Sequence, residues 1–144
     1  MSHFNLTLLG FDFGLRHIGI ASGQTVTHSA KPLTSLRARL GVPNWDELSQ
    51  LIKTWQPHAL VVGIPLQMDG SEQPLTLAAR AFADELVSRY HLPVHCVDER
   101  LSTKEARAQL FAEGGFKALR KQAVDSLSAC LILQTWLDEQ QRKS

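Results

Sequence analysis

Residues Ala59 to Ile64 read Ala-Leu-Val-Val-Gly-Ile, six places with no polar side chain among them. Successive side chains on a strand point to opposite faces, so a strand with one wet face shows polar residues at alternate positions. A short apolar run without that alternation is expected of a strand covered on both faces. Such a strand needs helices packed above and below it, which commits the chain to an α/β arrangement.

The flanking sequence supplies those helices. Asn44 can cap a helix, with Glu47 three places on, and Trp45, Leu48, Leu51, Ile52 and Trp55 fall at helical spacing before Pro57. Gln67-Met-Asp-Gly-Ser71 is turn chemistry, and a helix is expected from about Pro74 to Tyr90, with Leu77, Ala81 and Leu86 among its apolar places. Pro93 to Val97 reads as a strand. Ser102-Thr-Lys-Glu105 has the form of a capping box for a helix ending at Gly114-Gly115. The last helix is expected from roughly Ala118 to Glu139, with a polar tail over about 138–144.

Ahead of these lie three strand-like stretches: Phe4 to Phe13, Ile18 to Ser22 and, more weakly, Gln24 to Ser29. Short links between them suggest an antiparallel meander. The expected order is β-β-β-α-β-α-β-α-α, a mixed five-stranded sheet with helices on both faces. No linker composition interrupts the chain, so 1–144 reads as one domain.

The composition, 44% hydrophobic and 20% charged, suits a globular domain able to bury a core without staples. Fifteen basic against fourteen acidic residues leave no global charge to attract nucleic acid, so any such binding must come from local clustering. Cys96 and Cys130 stand in apolar settings with no ligand-like spacing, which predicts two buried free thiols in a reducing compartment. The start lacks a basic region and a cleavage site, and the longest apolar run is too short to cross a bilayer. The expectation is a cytoplasmic protein with no membrane partner. Asp12-Phe13-Gly14 matches the metal-binding triplet of protein kinases, but no Gly-rich loop, strand lysine or H-R-D loop accompanies it.

Three acidic residues are badly placed for solvated charges. Asp12 stands in the first strand, Glu99 directly follows the strand ending at Asp98, and Asp125 shares a helix face with Ala129 and Ile132. A buried carboxylate requires a partner, a proton or a metal. Pairing with a nearby Arg or Lys would satisfy any one of them. Three together favour a divalent-cation site, and hard oxygen donors point to Mg²⁺ or Mn²⁺. Two such ions about 3.5–4 Å apart are a known arrangement for phosphodiester hydrolysis.

Four blocks carry a family likeness: G-F-D-F-G-L-R-H-I-G-I-A, V-V-G-I-P-L-Q-M-D-G-S-E, V-D-E-R-L-S-T-K-E-A and V-D-S-L-S-A-C-L-I-L-Q. In this order, over about Leu8 to Leu137, the chain resembles the YqgF/RuvX family of Holliday-junction-resolvase-like proteins. The resemblance implies a ribonuclease H-like fold and a metal-dependent endonuclease that processes the 5′ end of precursor 16S ribosomal RNA. It matches Asp12, Glu99 and Asp125 to the family's acids, as catalytic residues and metal ligands. Where the family often has two alanines after the helix aspartate, this chain has Ser128-Ala129.

Basic residues near these acids are candidate nucleic-acid contacts. Arg16 lies four places after Asp12, Arg100 adjoins Glu99, Lys104 falls in the first turn of the capped helix, and Lys121 is one turn before Asp125. Lys117 and Arg120 are more readily solvated surface charges, and His17 is the one histidine placed to touch substrate. The partners implied are precursor ribosomal RNA or branched DNA and ribosomal particles, with the chain a monomer or weak homodimer. Resolving a four-way junction symmetrically would demand two active sites. Two other readings remain: an ATPase-like module, since D-F-G-L-R-H-I-G-I-A also resembles the first phosphate loop of actin- and sugar-kinase-like ATPases, and a nucleic-acid-binding module that does not cut.

Overall fold

The computed structural model describes residues 5–101 and 121–143. Strand β1 is Thr7–Asp12, β2 His17–Gln24, β3 Ser29–Arg39 and β4 Val42–Pro43; helix α1 is Trp45–Trp55, β5 Ala59–Ile64, α2 Pro74–Tyr90 and β6 Val94–Asp98. A single 3-10 turn, Glu99–Leu101, follows β6, and helix α3 is Lys121–Lys143. The sheet order is β4-β3-β2-β1-β5-β6, with β1 through β4 antiparallel in succession and β5 and β6 parallel to β1.

All six residues of β5 are buried, and the reason is the one its sequence suggested. Leu60, Val62 and Ile64 join Leu9, Phe11, Ile18 and Ile20 in one core, closed by Leu48 of α1 and by Ala79, Phe82 and Leu86 of α2. Ala59 and Val61 point the other way, into a second core with Leu8, Ala21 and Val97, closed by Ala129, Ile132, Leu133 and Leu137 of α3. The sheet is therefore a central layer, with α1 and α2 on one face and α3 on the other.

Local chemistry accounts for the helix starts. The Asn44 side chain accepts from the backbone N–H groups of Asp46 and Glu47, as a cap should. At α2 the hydroxyl of buried Thr76 donates to the Pro65 carbonyl and accepts from the Gln73 N–H, tying the helix start to the end of β5. The preceding turn closes on Gly70 at φ +87°, with Asp69 accepting from the Ser71 N–H at 2.8 Å and hydroxyl at 2.6 Å. Those hydrogen bonds hold the Asp69 carboxyl below its usual range. Trp45 and Trp55 pack on the first core; Trp45 stacks on Phe82, with the Arg89 guanidinium 4.0 Å above its ring. Trp136 packs on the second core and stacks on His95.

The structure corrects several sequence expectations. Residues 25–28 form a turn, and the third strand is the later and much longer β3. Its pattern is hard to read because most of it is only half-buried and Pro32 lies within it. The proline is tolerated beside a bulge: Ile20 pairs with Thr34 and Ala21 with Pro32, leaving Leu33 over. The sheet has six strands rather than five, because β3 folds back through Leu40 and Gly41 into the two-residue β4. Helix α3 continues to Lys143, so residues 138–143 of the stretch read as a polar tail are polar but helical, with Arg142 and Lys143 at the negative end of the helix dipole. Cys96 is exposed and Cys130 half-buried, not a pair of core thiols. The capping box at 102–105, the helix ending at Gly114-Gly115, and Lys117 and Arg120 lie outside the described residues.

Candidate active site

The pairing of strands fixes where the three acids stand. Asp12 ends β1 and pairs with Gly19 of β2, which in turn pairs with Ser35 of β3. On its other side, Phe11 pairs with Val62, which sets Gly63 of β5 beside Asp12; Gly63 pairs with Val97 of β6. One level of the sheet thus reads Ser35, Gly19, Asp12, Gly63, Val97. Leu8, Val97 and Ala21 lie in the core under α3, so by alternation Asp12, Gly19 and Gly63 face that helix as well. The level lies at the carboxyl ends of the parallel strands, where ligands bind in open α/β sheets.

The two glycines make room for the other two acids. A Cβ added to Gly19 would run into the backbone carbonyl of Asp125 and come within 3.1 Å of its Cα. The absent side chain is what lets α3 bring Asp125 down beside Asp12. Buried Ser126 and Ala129 continue the close approach along that face. A Cβ on Gly63 would stand 2.8 Å from Glu99 Oε1 and collide with Ile132. Glu99 therefore folds back from the turn after β6, over Gly63, with Oε1 buried. Asp12, Glu99 and Asp125 are all half-buried, on one face and at one end of the sheet.

They do not close into a ready-made cage. Among the described residues, no group of three or more His, Cys, Asp or Glu stands closely enough to hold a metal ion. The acids form a row: Glu99 over β5, Asp12 in the middle, and Asp125 turned toward β3. Ser35 meets it there, its hydroxyl donating to Asp125 Oδ2 at 3.1 Å. Sequence reasoning missed Ser35, since it belongs to the strand that was misplaced. Its only signal is a hydroxyl in a stretch that a longer β3 would set level with Asp12. The donor set consists of carboxylate oxygens without sulfur or imidazole, a chemistry that suits Mg²⁺ or Mn²⁺.

The basic candidates separate. Arg16 is exposed in the loop between β1 and β2, and its carbonyl accepts from the Ala38 N–H at 2.7 Å. Arg100 is committed to Asp98: Nη2 lies 2.6 Å from Oδ2, and Nε reaches both carboxylate oxygens. This fork, chiefly, holds the Asp98 carboxyl below its usual range. Arg100 also reaches the Met68 carbonyl at 3.4 Å, so it bridges β6 to the 67–71 turn. Lys121 is the first residue of α3, and Lys104 lies outside the described residues. His17 begins β2 two places before Gly19, which sets it on the face of the acids.

A family model described as RuvX, Holliday junction resolvase, matches residues 6–139. The chain belongs to the RuvX family. Its similar relatives include proteins named "Putative pre-16S rRNA nuclease" from Actinobacillus pleuropneumoniae, 55% identical over 93% of this chain and 98% of the relative, and from Haemophilus ducreyi, 54% identical over 92% and 96%. Among solved structures, Thermus thermophilus RuvC superposes with a TM-score of 0.57 at 14% identity, covering 94% of this chain and 97% of that one. The fowlpox virus Holliday junction resolvase gives 0.57 at 9% identity, covering 93% and 99%. At such identities the likeness is one of fold, and it places this RuvX-family chain in the ribonuclease H-like, resolvase-type architecture that its sheet order displays.

Proposed function

We propose that this chain is a metal-dependent endonuclease that hydrolyses phosphodiester bonds in the 5′-end processing of precursor 16S ribosomal RNA. The observation that carries the reading is the row of acids. Of the two glycines flanking Asp12, Gly19 leaves the space occupied by the backbone of Asp125, and Gly63 leaves the space shared by Ile132 and the carboxylate of Glu99. A sheet needs no such arrangement for stability, because three half-buried carboxylates at one end of it repel one another. The names of the relatives support the same chemistry.

Mg²⁺ or Mn²⁺ held by Asp12, Glu99 and Asp125 would acidify a water and offset charge on the scissile phosphate. The protein's own part is positional. Asp12 is held at the centre by the strands on both sides of it, Glu99 is laid over Gly63, and Asp125 is aimed by Ser35. The row stands at the carboxyl ends of the parallel strands, the end at which ligands bind in open α/β sheets. Trimming one RNA end requires a single such row, so a monomer or a weak homodimer suffices. Ribosomal particles are the natural carriers of this substrate, and the cytoplasm its compartment. No described helix is long and apolar enough to cross a membrane.

The test is Asp12→Asn in purified protein, assayed with Mg²⁺ or Mn²⁺ on a precursor 16S ribosomal RNA fragment and in parallel on a four-way DNA junction. The expected result is RNA cleavage leaving 5′-phosphate and 3′-hydroxyl ends, lost in the variant. Junction cleavage alone would move the assignment to the resolvase activity in the family's description. Undiminished cleavage by Asp12→Asn would refute the role of the row.

A further inference from the structure

Between Asp12 and Asp46 the chain has no acidic residue, yet it carries Arg16, Lys31, Arg37 and Arg39. In a protein of net charge +1 that is a marked local excess of positive charge. The structure gives part of it a direction. Ser35, which touches Asp125, faces α3; Arg37 and Arg39 follow at the second and fourth places, so they share its face. Leu36 and Ala38, between them, turn to the opposite core.

Arg37 pairs with His17, which lies two places from Gly19 on that same face. The next level of the sheet beyond the carboxylates is therefore His17 with Arg37, and Arg39 lies beyond it, paired with Val42. Successive levels on one face are about 6.8 Å apart, two residues at about 3.4 Å each. Arg37 and Arg39 are both exposed, and neither forms an ion pair among the described residues. Arg80, Arg89 and Arg100 differ in this respect, each being bound to a carboxylate. The strand is also braced: the Ala38 N–H donates to the Arg16 carbonyl and the Gly41 N–H to the Leu15 carbonyl, so this end of β3 is fixed to the loop that follows Asp12.

We propose that Arg37 and Arg39, with His17 beside them, form a phosphate track along the outer half of β3 that leads a nucleic-acid strand into the row of acids. The proposal rests on the nuclease reading of that row and assigns the side from which the strand enters. Guanidinium groups suit the role because their fixed fork of donors matches a phosphate's oxygens. The recognised chemistry is the phosphodiester backbone, common to RNA and DNA.

The experiment is fluorescence anisotropy of a fluorescein-labelled single-stranded RNA, and of DNA of the same sequence, in EDTA so that nothing is cut, across a salt series. Each lost phosphate contact reduces the slope of log K against log salt by about 0.7 for a single strand, so R37A/R39A should be shallower than wild type by about 1.4 with either probe. R37K/R39K keeps the charge and should keep the slope. R142A/K143A removes the same charge at the far end of α3 and should also leave the slope unchanged. A wild-type slope in R37A/R39A, an equal loss in R142A/K143A, an effect on only one of the two probes, or no binding by the wild type would each overturn the track. The two readings fail separately. Binding with the expected slopes but no cleavage of any substrate sinks the nuclease alone, and cleavage with unchanged slopes sinks the track alone.

Discussion

Gly19→Ala is the sharpest perturbation of the site, because it adds one carbon where backbone meets backbone. The new Cβ would collide with the Asp125 carbonyl and stand 3.1 Å from its Cα. To regain an ordinary separation of about 3.5 Å, α3 must lift from β2 by about 1 Å or more. Neither partner can rotate out of the way, which places the cost toward the upper end of the overpacking range, about 1–3 kcal/mol. For a chain of this size each kcal/mol lowers Tm by roughly 2–4 °C, so a fall of about 6–12 °C is expected at 3 kcal/mol. The catalytic cost should be larger in proportion, since about 1 Å of misplacement in a reacting group can cost about 100-fold. Gly23→Ala is the control. It meets the Leu133 side chain at 2.8 Å, a group able to adjust, and it lies away from the acids. Calorimetry and single-turnover cleavage, at a temperature where both variants are folded, separate the two effects. If Gly19→Ala cleaves as wild type does, or loses no more activity than Gly23→Ala, then the close approach at Gly19 does not place Asp125 for catalysis.

Two further expectations follow from the same geometry. Ser35→Ala should leave folding intact while lowering kcat about tenfold, equivalent to about 1.4 kcal/mol for the lost hydrogen bond to a charged group. It should also raise the Mn²⁺ concentration needed for half-maximal binding, read by water-proton relaxation without substrate; Ser35→Thr should restore both, and an unchanged Mn²⁺ midpoint in Ser35→Ala would refute the positioning role. Burial pushes the Cys130 thiol up from 9.0 to about 11, and it also raises exposed Cys96. The thiolate is the reactive form. Iodoacetamide at pH 8 should therefore label Cys96 well before Cys130, by peptide mass mapping. Because the folded state raises the Cys130 value, its contribution to stability is fully present below about pH 9 and is lost as pH rises toward 11. A Cys130→Ala variant should show less alkaline destabilisation, and an identical pH profile would refute the burial.

Patterns a few residues long were enough for the layered architecture. The unbroken apolar run of β5 required cover on both faces and has it, from α2 on one side and α3 on the other. Asn44 and the Gly70 turn are local punctuation, settled by hydrogen bonds within a few residues of themselves. The misfit of Asp12 in a strand and of Asp125 on an apolar helix face was equally local, and Glu99 stood out by its place directly after a strand, all without knowledge of the fold. β3 did not show, because its pattern depends on a bulge and on partners that cover only parts of it, neither of which is encoded within its own length. For the same reason Ser35, Arg37 and Arg39 could not be ranked as site residues from the sequence. Only the pairing of β3 with β2, and of β2 with β1, sets them level with and beyond Asp12. The tertiary structure also decided which cations are engaged, because Arg100 found Asp98 two residues away whereas Arg37 and Arg39 form no ion pair among the described residues. Burial and turn chemistry act over short stretches of chain and can be read there; the relative placement of groups brought together by a sheet is set by register, and register is a property of strand pairs.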